Sequence, residues 1–231
     1  MKSFSLMRVG RLLAKHYVDH MRRYVMFYAL MAFFPILFAM LSSDMDSVSE
    51  TATLMFIVGA FAIAPVTMNE LRGHGTRILV NTLPVSVAER MLFIVLNTSI
   101  VYSLLATVSG FISMTAVAML PFVDADAHRC FADMWYDLYG RWELHVLIWI
   151  ISSGSVMINS LARKRLIYSY VLAFVVMVLF VWGLSKAAVG IELHIEWREC
   201  YEWIAKTLYC LVPVFFYAAS FCILRRRQIK W

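Results

Sequence analysis

The 32 residues Met91–Phe122, MLFIVLNTSIVYSLLATVSGFISMTAVAMLPF, contain no Lys, Arg, Asp or Glu. As a helix they would extend about 48 Å at 1.5 Å per residue, beyond the roughly 30 Å of a bilayer's hydrocarbon core. The run therefore predicts a membrane helix that tilts, kinks or projects past the lipid. Strands are excluded because the apolar stretch is continuous rather than alternating, and too long. Five more runs lack the four charged types: Tyr24–Leu41, Ala52–Met68, Leu144–Leu161, Leu166–Leu184 and Leu208–Leu224. A charge at bilayer depth costs at least about 2.5 kcal/mol, which accounts for their absence. The whole chain is 62% hydrophobic and 16% charged, whereas soluble chains carry about 25% charge. The expectation is an all-α polytopic membrane protein with six transmembrane helices, forming a single transmembrane domain over residues 1–231. The first run is longer than the 7–15 residues or so of a secretory signal core, and reads as a retained helix.

The charges sort between the runs. Residues 1–23 hold Lys2, Arg8, Arg11, Lys15, Arg22 and Arg23 against Asp19 alone. Residues 69–90 hold Arg72, Arg77 and Arg90 against Glu70 and Glu89, residues 162–165 hold Arg163, Lys164 and Arg165, and the tail holds Arg225, Arg226, Arg227 and Lys230. These alternate segments contain 16 of the 21 bases, and the intervening segments contain 12 of the 15 acids. The positive-inside rule places the basic side, with both termini, in the cytoplasm. The net charge of +6 is thus read as a topology signal and an attraction to lipid headgroups, with no nucleic-acid partner.

Two flanking segments are periodic. Leu6, Val9, Leu13, Tyr17, Met21 and Tyr24 recur at helical steps, with Arg8, Arg11, Lys15 and Arg22 on the far side. This predicts an amphipathic helix over 1–23 lying in the membrane interface, as against an ordinary basic tail. Leu193, Trp197, Tyr201, Ile204 and Leu208 recur likewise, predicting a short outer-leaflet helix that leads into the sixth span. Between spans two and three, Gly73 and Gly75 permit a bend, Thr76–Thr82 suits a short crosswise helix, and Pro84 stops it. Ser86-Val87-Ala88-Glu89 fits a capping box that restarts the chain into span three. From the residues alone this loop is either a plain connector or a crosswise helix on which a cytoplasmic partner pushes.

The layout, with the inner loop Glu70-x-x-Gly73-x-Gly75-Thr76 … Thr82-Leu83-Pro84-Val85-Ser86-x-x-Glu89-Arg90 and the tail Ile223-Leu224-Arg225-Arg226-Arg227-Gln228-Ile229-Lys230, resembles the membrane subunit of bacterial type-2 ATP-binding-cassette (ABC) exporters. The resemblance covers the whole chain in layout, but in residues only the loop and tail. The base often found as Lys at the start of span three in that family is Arg90 here. The resemblance implies an N-terminal elbow helix and a cytoplasmic coupling helix between spans two and three. Glu70, Gly73, Gly75, Thr82, Leu83, Pro84 and Ser86 would then contact the ATPase. It also implies a dimeric permease in the bacterial cytoplasmic (inner) membrane, partnered by a cytoplasmic ABC ATPase subunit and by a second permease copy or homologue.

Chemistry of the chain's own is not expected. No Gly-Lys pair is present, so a phosphate-binding loop is excluded, and ATP with its Mg would sit on the partner. No span carries the acid pair of an intramembrane enzyme. His128 with Asp124 and Asp126, and His194 with Glu192 and Glu196, read as solvated loop groups, so no metal is expected. Cys130 and Cys200 could bridge in an oxidising compartment, while Cys210 and Cys222 read as packing residues. Ser99, Ser103, Ala106, Gly110 and Ser113 form one stripe, and Ser152, Ser155 and Asn159 another. Such stripes let helices approach closely, or line a substrate route. On the second reading Ser99, Ser103, Ser152 and Asn159 are the candidate path, suited to an amphipathic or lipid-like cargo. The rival function is a membrane scaffold or sensor subunit that docks a cytoplasmic partner without transport.

Overall fold

The structure, a computed structural model, describes residues 4–42, 45–68, 86–120, 142–161 and 198–229. Every element among them is helical: α1 (Leu6–Ser42), α2 (Met45–Met68), α3 (Val87–Val95), a π-helical segment (Leu96–Val101), α4 (Tyr102–Ala118), α5 (Trp142–Leu161) and α6 (Arg198–Ile229). The helices Leu6–Leu41, Thr51–Met68, Val87–Ala118, Leu144–Leu161 and Tyr209–Arg226 are each long and apolar enough to cross a membrane. The fifth predicted span, 166–184, and the short helix predicted over Thr76–Thr82 lie outside the described residues.

Residues 1–152 form one compact unit and 153–231 another. In the first, consecutive spans run antiparallel. Ala39 late in α1, Ala52 early in α2 and Met114 and Val117 late in α4 share one apolar cluster, joined by Ile36, Leu120 and Leu144. At the opposite end, early α1, late α2 and α3 meet. The starts of α1 and α3 therefore occupy one end of this unit, as the alternation of charge requires. The outward faces of α1, α2 and α4 carry Leu30, Phe33, Phe38, Leu54, Val58, Leu104 and Phe111. In water such a surface would aggregate, whereas in lipid it is the solvated face. In the second unit, Gly154 of α5 faces the ring of Phe216 of α6, which stands 3.7 Å from where a Cβ would be. Ser220 is buried and donates to Phe216 O at 2.7 Å.

Two sequence expectations change, the N-terminal stripe and the packing of the last-span cysteines. α1 comprises two helical limbs that meet in a kink at His20, whose φ of −117° and ψ of 15° are non-helical. No Pro or Gly lies between residues 11 and 34, so the kink has neither of these residues as its cause. The expected apolar stripe also splits. Val9 and Tyr24 are buried against the protein, while Leu6 and Met21 are exposed. The outward apolar face is instead Met7, Ala14, Val18 and Met21, beside exposed Arg11, Lys15 and Arg22. The helix thus has three faces, because it packs on α3 as well as on lipid. Before and through the last span, residues 198–229 form one continuous helix that includes Pro213; residues 193–197 of the expected outer-leaflet helix lie outside the described residues. Cys210 and Cys222, expected to pack, are exposed free thiols, since α6 turns Pro213 and Ser220 inward.

Candidate functional site

The third span is interrupted where its sequence is most polar, at Asn97-Thr98-Ser99. There the Tyr102 N–H reaches Asn97 O, a π-type bond that encloses one residue more than an α-turn. The buried stripe records the insertion: Glu89, Phe93 and Asn97 are spaced by four, Asn97 and Tyr102 by five, then Tyr102 and Ala106 by four again. Thr98 Oγ1 donates back to Ile94 O at 2.8 Å, a contact that loosens the local ladder. Such wide turns recur at functional positions.

Asn97 is fully buried and uses every polar atom of its side chain. Its Nδ2 donates to Tyr24 Oη at 2.9 Å and to Thr67 Oγ1 at 2.7 Å. Its Oδ1 accepts from Tyr17 Oη at 2.6 Å. Thr67 donates onward to Ile63 O at 2.8 Å, which completes its hydroxyl. His16 Nε2 lies 2.9 Å from Tyr24 Oη. With His16 neutral and protonated on Nδ1, the Tyr24 hydroxyl, which already accepts from Asn97, donates to His16 Nε2. His20 stacks on His16 with centroids 4.7 Å apart and donates from Nδ1 to His16 O at 3.2 Å. One amide thus ties α1 on both sides of its break, through Tyr17 and Tyr24, to α2 through Thr67. Buried networks of this kind specify one packing when every member is satisfied.

Further along, α4 is stapled to α1 and to α2. Ser109 Oγ donates to Tyr28 O at 2.9 Å, and Tyr102 Oη to Phe56 O at 2.5 Å. Among the described residues the hydroxyls of Tyr28, Ser103 and Ser113 have buried oxygens with no hydrogen-bond partner.

The second polar centre is Glu89, in the first turn of α3 and ahead of the apolar run that begins at Met91. The capping box forms as its spacing predicts: Ser86 Oγ accepts from Glu89 N at 3.2 Å, and Glu89 Oε2 accepts from Ser86 N at 2.7 Å. The other oxygen leaves the box. Glu89 Oε1 accepts from Ser5 N at 2.7 Å and pairs with Arg8 Nε at 3.2 Å. Ser5 is itself the start of α1, since its carbonyl accepts from Arg8 N and Val9 N. A single carboxylate, fully buried, therefore sits at the positive ends of two helices at once. The Ser86 and Ser5 N–H groups and Arg8 together compensate a carboxylate that is removed from water.

Of the residues singled out in the sequence, Glu70, Gly73, Gly75, Thr82, Leu83 and Pro84 lie outside the described residues. Ser86 is the α3 cap. Ser99 is buried and Ser103 half-buried on the span-three stripe. Ser152 and Asn159 are buried in α5, where Ser152 Oγ donates to Trp149 O at 3.2 Å and Asn159 Nδ2 to Ser155 O at 2.6 Å. Sequence reasoning missed Asn97, His16, Tyr17 and Tyr24. A usable signal was present: Asn97 is the single amide in the Met91–Phe122 run, and His16, Tyr17, His20 and Tyr24 share one helical stripe. Among the described residues, no three His, Cys, Asp or Glu side chains group as metal ligands would. Comparison with family models, with curated proteins and with solved structures finds no match.

Proposed function

We propose that this chain is the membrane-spanning permease subunit of an ABC exporter in a bacterial cytoplasmic membrane. It moves an amphipathic or lipid-like cargo using ATP hydrolysed by a separate subunit, and works as a dimer with a second copy or a homologue. Both termini face the cytoplasm. The observation that carries the reading is the body formed by α3 and the N-terminal limb of α1. Both lie at the basic end of the first unit, and α3 begins just after the loop, 69–85, that bears the family-like motif. A protein pressing on that loop would act on two helices together.

The test is co-purification with a candidate ATPase, followed by turnover in proteoliposomes with and without lipid-like cargo. The reading expects Leu83→Asp and Gly73→Pro to abolish ATPase binding, and expects cargo to stimulate hydrolysis. Unchanged binding and turnover in both variants overturn the coupling role. Binding without any dependence on cargo identifies a scaffold or sensor subunit instead.

A further inference from the structure

Two irregularities of the first unit lie in register. The break in α1 at His20 and the π-helical segment 96–101 are side by side, because Asn97 bonds Tyr17 before the break and Tyr24 after it. On the N-terminal side of both irregularities, α1 and α3 run together. They are joined at their far ends by Glu89, which accepts from Ser5 N and Ser86 N and pairs with Arg8. Between these two fastenings His16 packs on Phe93, with ring centroids 5.1 Å apart, and Val9 and Ile94 are buried.

Regular α-helix transmits force along its axis, while sites that leave the i to i−4 ladder bend first. Two such sites at one level, bridged by a single amide, form a hinge line across a pair of helices. The fastening at Glu89 is of a different kind. It binds one limb to the other, through Ser5 and Arg8 of α1 and Ser86 at the start of α3. Its removal would separate the limbs, whereas removal of Asn97 would free them together.

We infer that residues 5–19 and 86–96 form one two-helix lever, fastened at Glu89 and hinged at His20 and the 96–101 segment, with Asn97 as the latch that sets its resting angle. The lever begins directly after residue 85, so on the reading above it is the part that a partner engaging 69–85 would swing. The lever itself stands whether or not that partner is an ATPase.

The experiment uses spin-label pairs on the full chain in nanodiscs, with its four cysteines replaced by serine. Ala14 and Ala88 are exposed positions within the lever, and Val58 is an exposed position on α2 beyond the hinge. In Asn97→Ala, the Ala14–Val58 distance should shift or broaden while the Ala14–Ala88 distance stays narrow and unmoved. In Glu89→Ala, the Ala14–Ala88 distance should broaden. Tyr17→Phe and Glu89→Gln repeat the two arms with smaller disruption, and decide the matter where an alanine variant fails to fold. The inference is overturned if loss of Asn97 disturbs both pairs alike or neither, or if loss of Glu89 leaves Ala14–Ala88 narrow. No nucleotide or second protein is needed, so failure here is separable from failure of the transport reading.

Discussion

Replacing Asn97 with leucine keeps the side chain's branching and heavy-atom count but deletes the hub. Three hydrogen bonds disappear, to Tyr24, Thr67 and Tyr17. At a mean of about 0.6 kcal/mol each in a helical membrane protein, they amount to about 2 kcal/mol. The partners are not left equal. Thr67 still donates to Ile63 O, and Tyr24 still reaches His16. Tyr17 loses its acceptor in a half-buried place, and an unsatisfied hydroxyl there adds about 1 kcal/mol. Asn97→Leu is therefore expected to cost about 3 kcal/mol and Tyr17→Phe alone about 1 kcal/mol. The double variant should be about 1 kcal/mol more stable than Asn97→Leu, because the orphaned hydroxyl is gone. The resulting coupling of about 2 kcal/mol is measurable by reversible unfolding in mixed micelles, followed by circular dichroism. If the two effects simply add, to within about 0.3–0.5 kcal/mol, the Tyr17–Asn97 bond does not exist and the hub is wrongly built.

Other consequences follow from single contacts. A Cβ at Gly59 would stand 2.5 Å from Tyr102 Oη and 3.0 Å from Met31 Sδ. Gly59→Ala should thus destabilise by about 1–3 kcal/mol, and Tyr102→Phe should recover part of that loss in the same unfolding assay. Ser86→Ala removes the α3 cap, with an expected cost of about 1 kcal/mol, and hydrogen exchange should quicken in the first turn of α3.

Much of this architecture is readable in one dimension because the bilayer is a severe solvent. Long uncharged runs can only be helices, and the alternation of bases with acids sets which helix ends share a side. The capping box at Ser86 was likewise legible, since its two bonds join residues three apart. What sequence could not supply is the second use of Glu89, because Ser5 lies 84 residues away and nothing local marks its N–H as the partner.

The same distinction governs the hub. Composition and periodicity determined that Met91–Phe122 is long and apolar enough to cross a membrane and that its small residues lie along one stripe. They also marked the N-terminal stripe as half apolar. Only the packed structure decided that this stripe turns Tyr17 and Tyr24 toward a neighbouring helix, and that Asn97 lies where α1 and α2 can both reach it. The reason is energetic. Burial of apolar surface in lipid is a property of each segment alone, whereas a buried amide is tolerated only where several helices together satisfy it. That condition exists only after the helices have assembled.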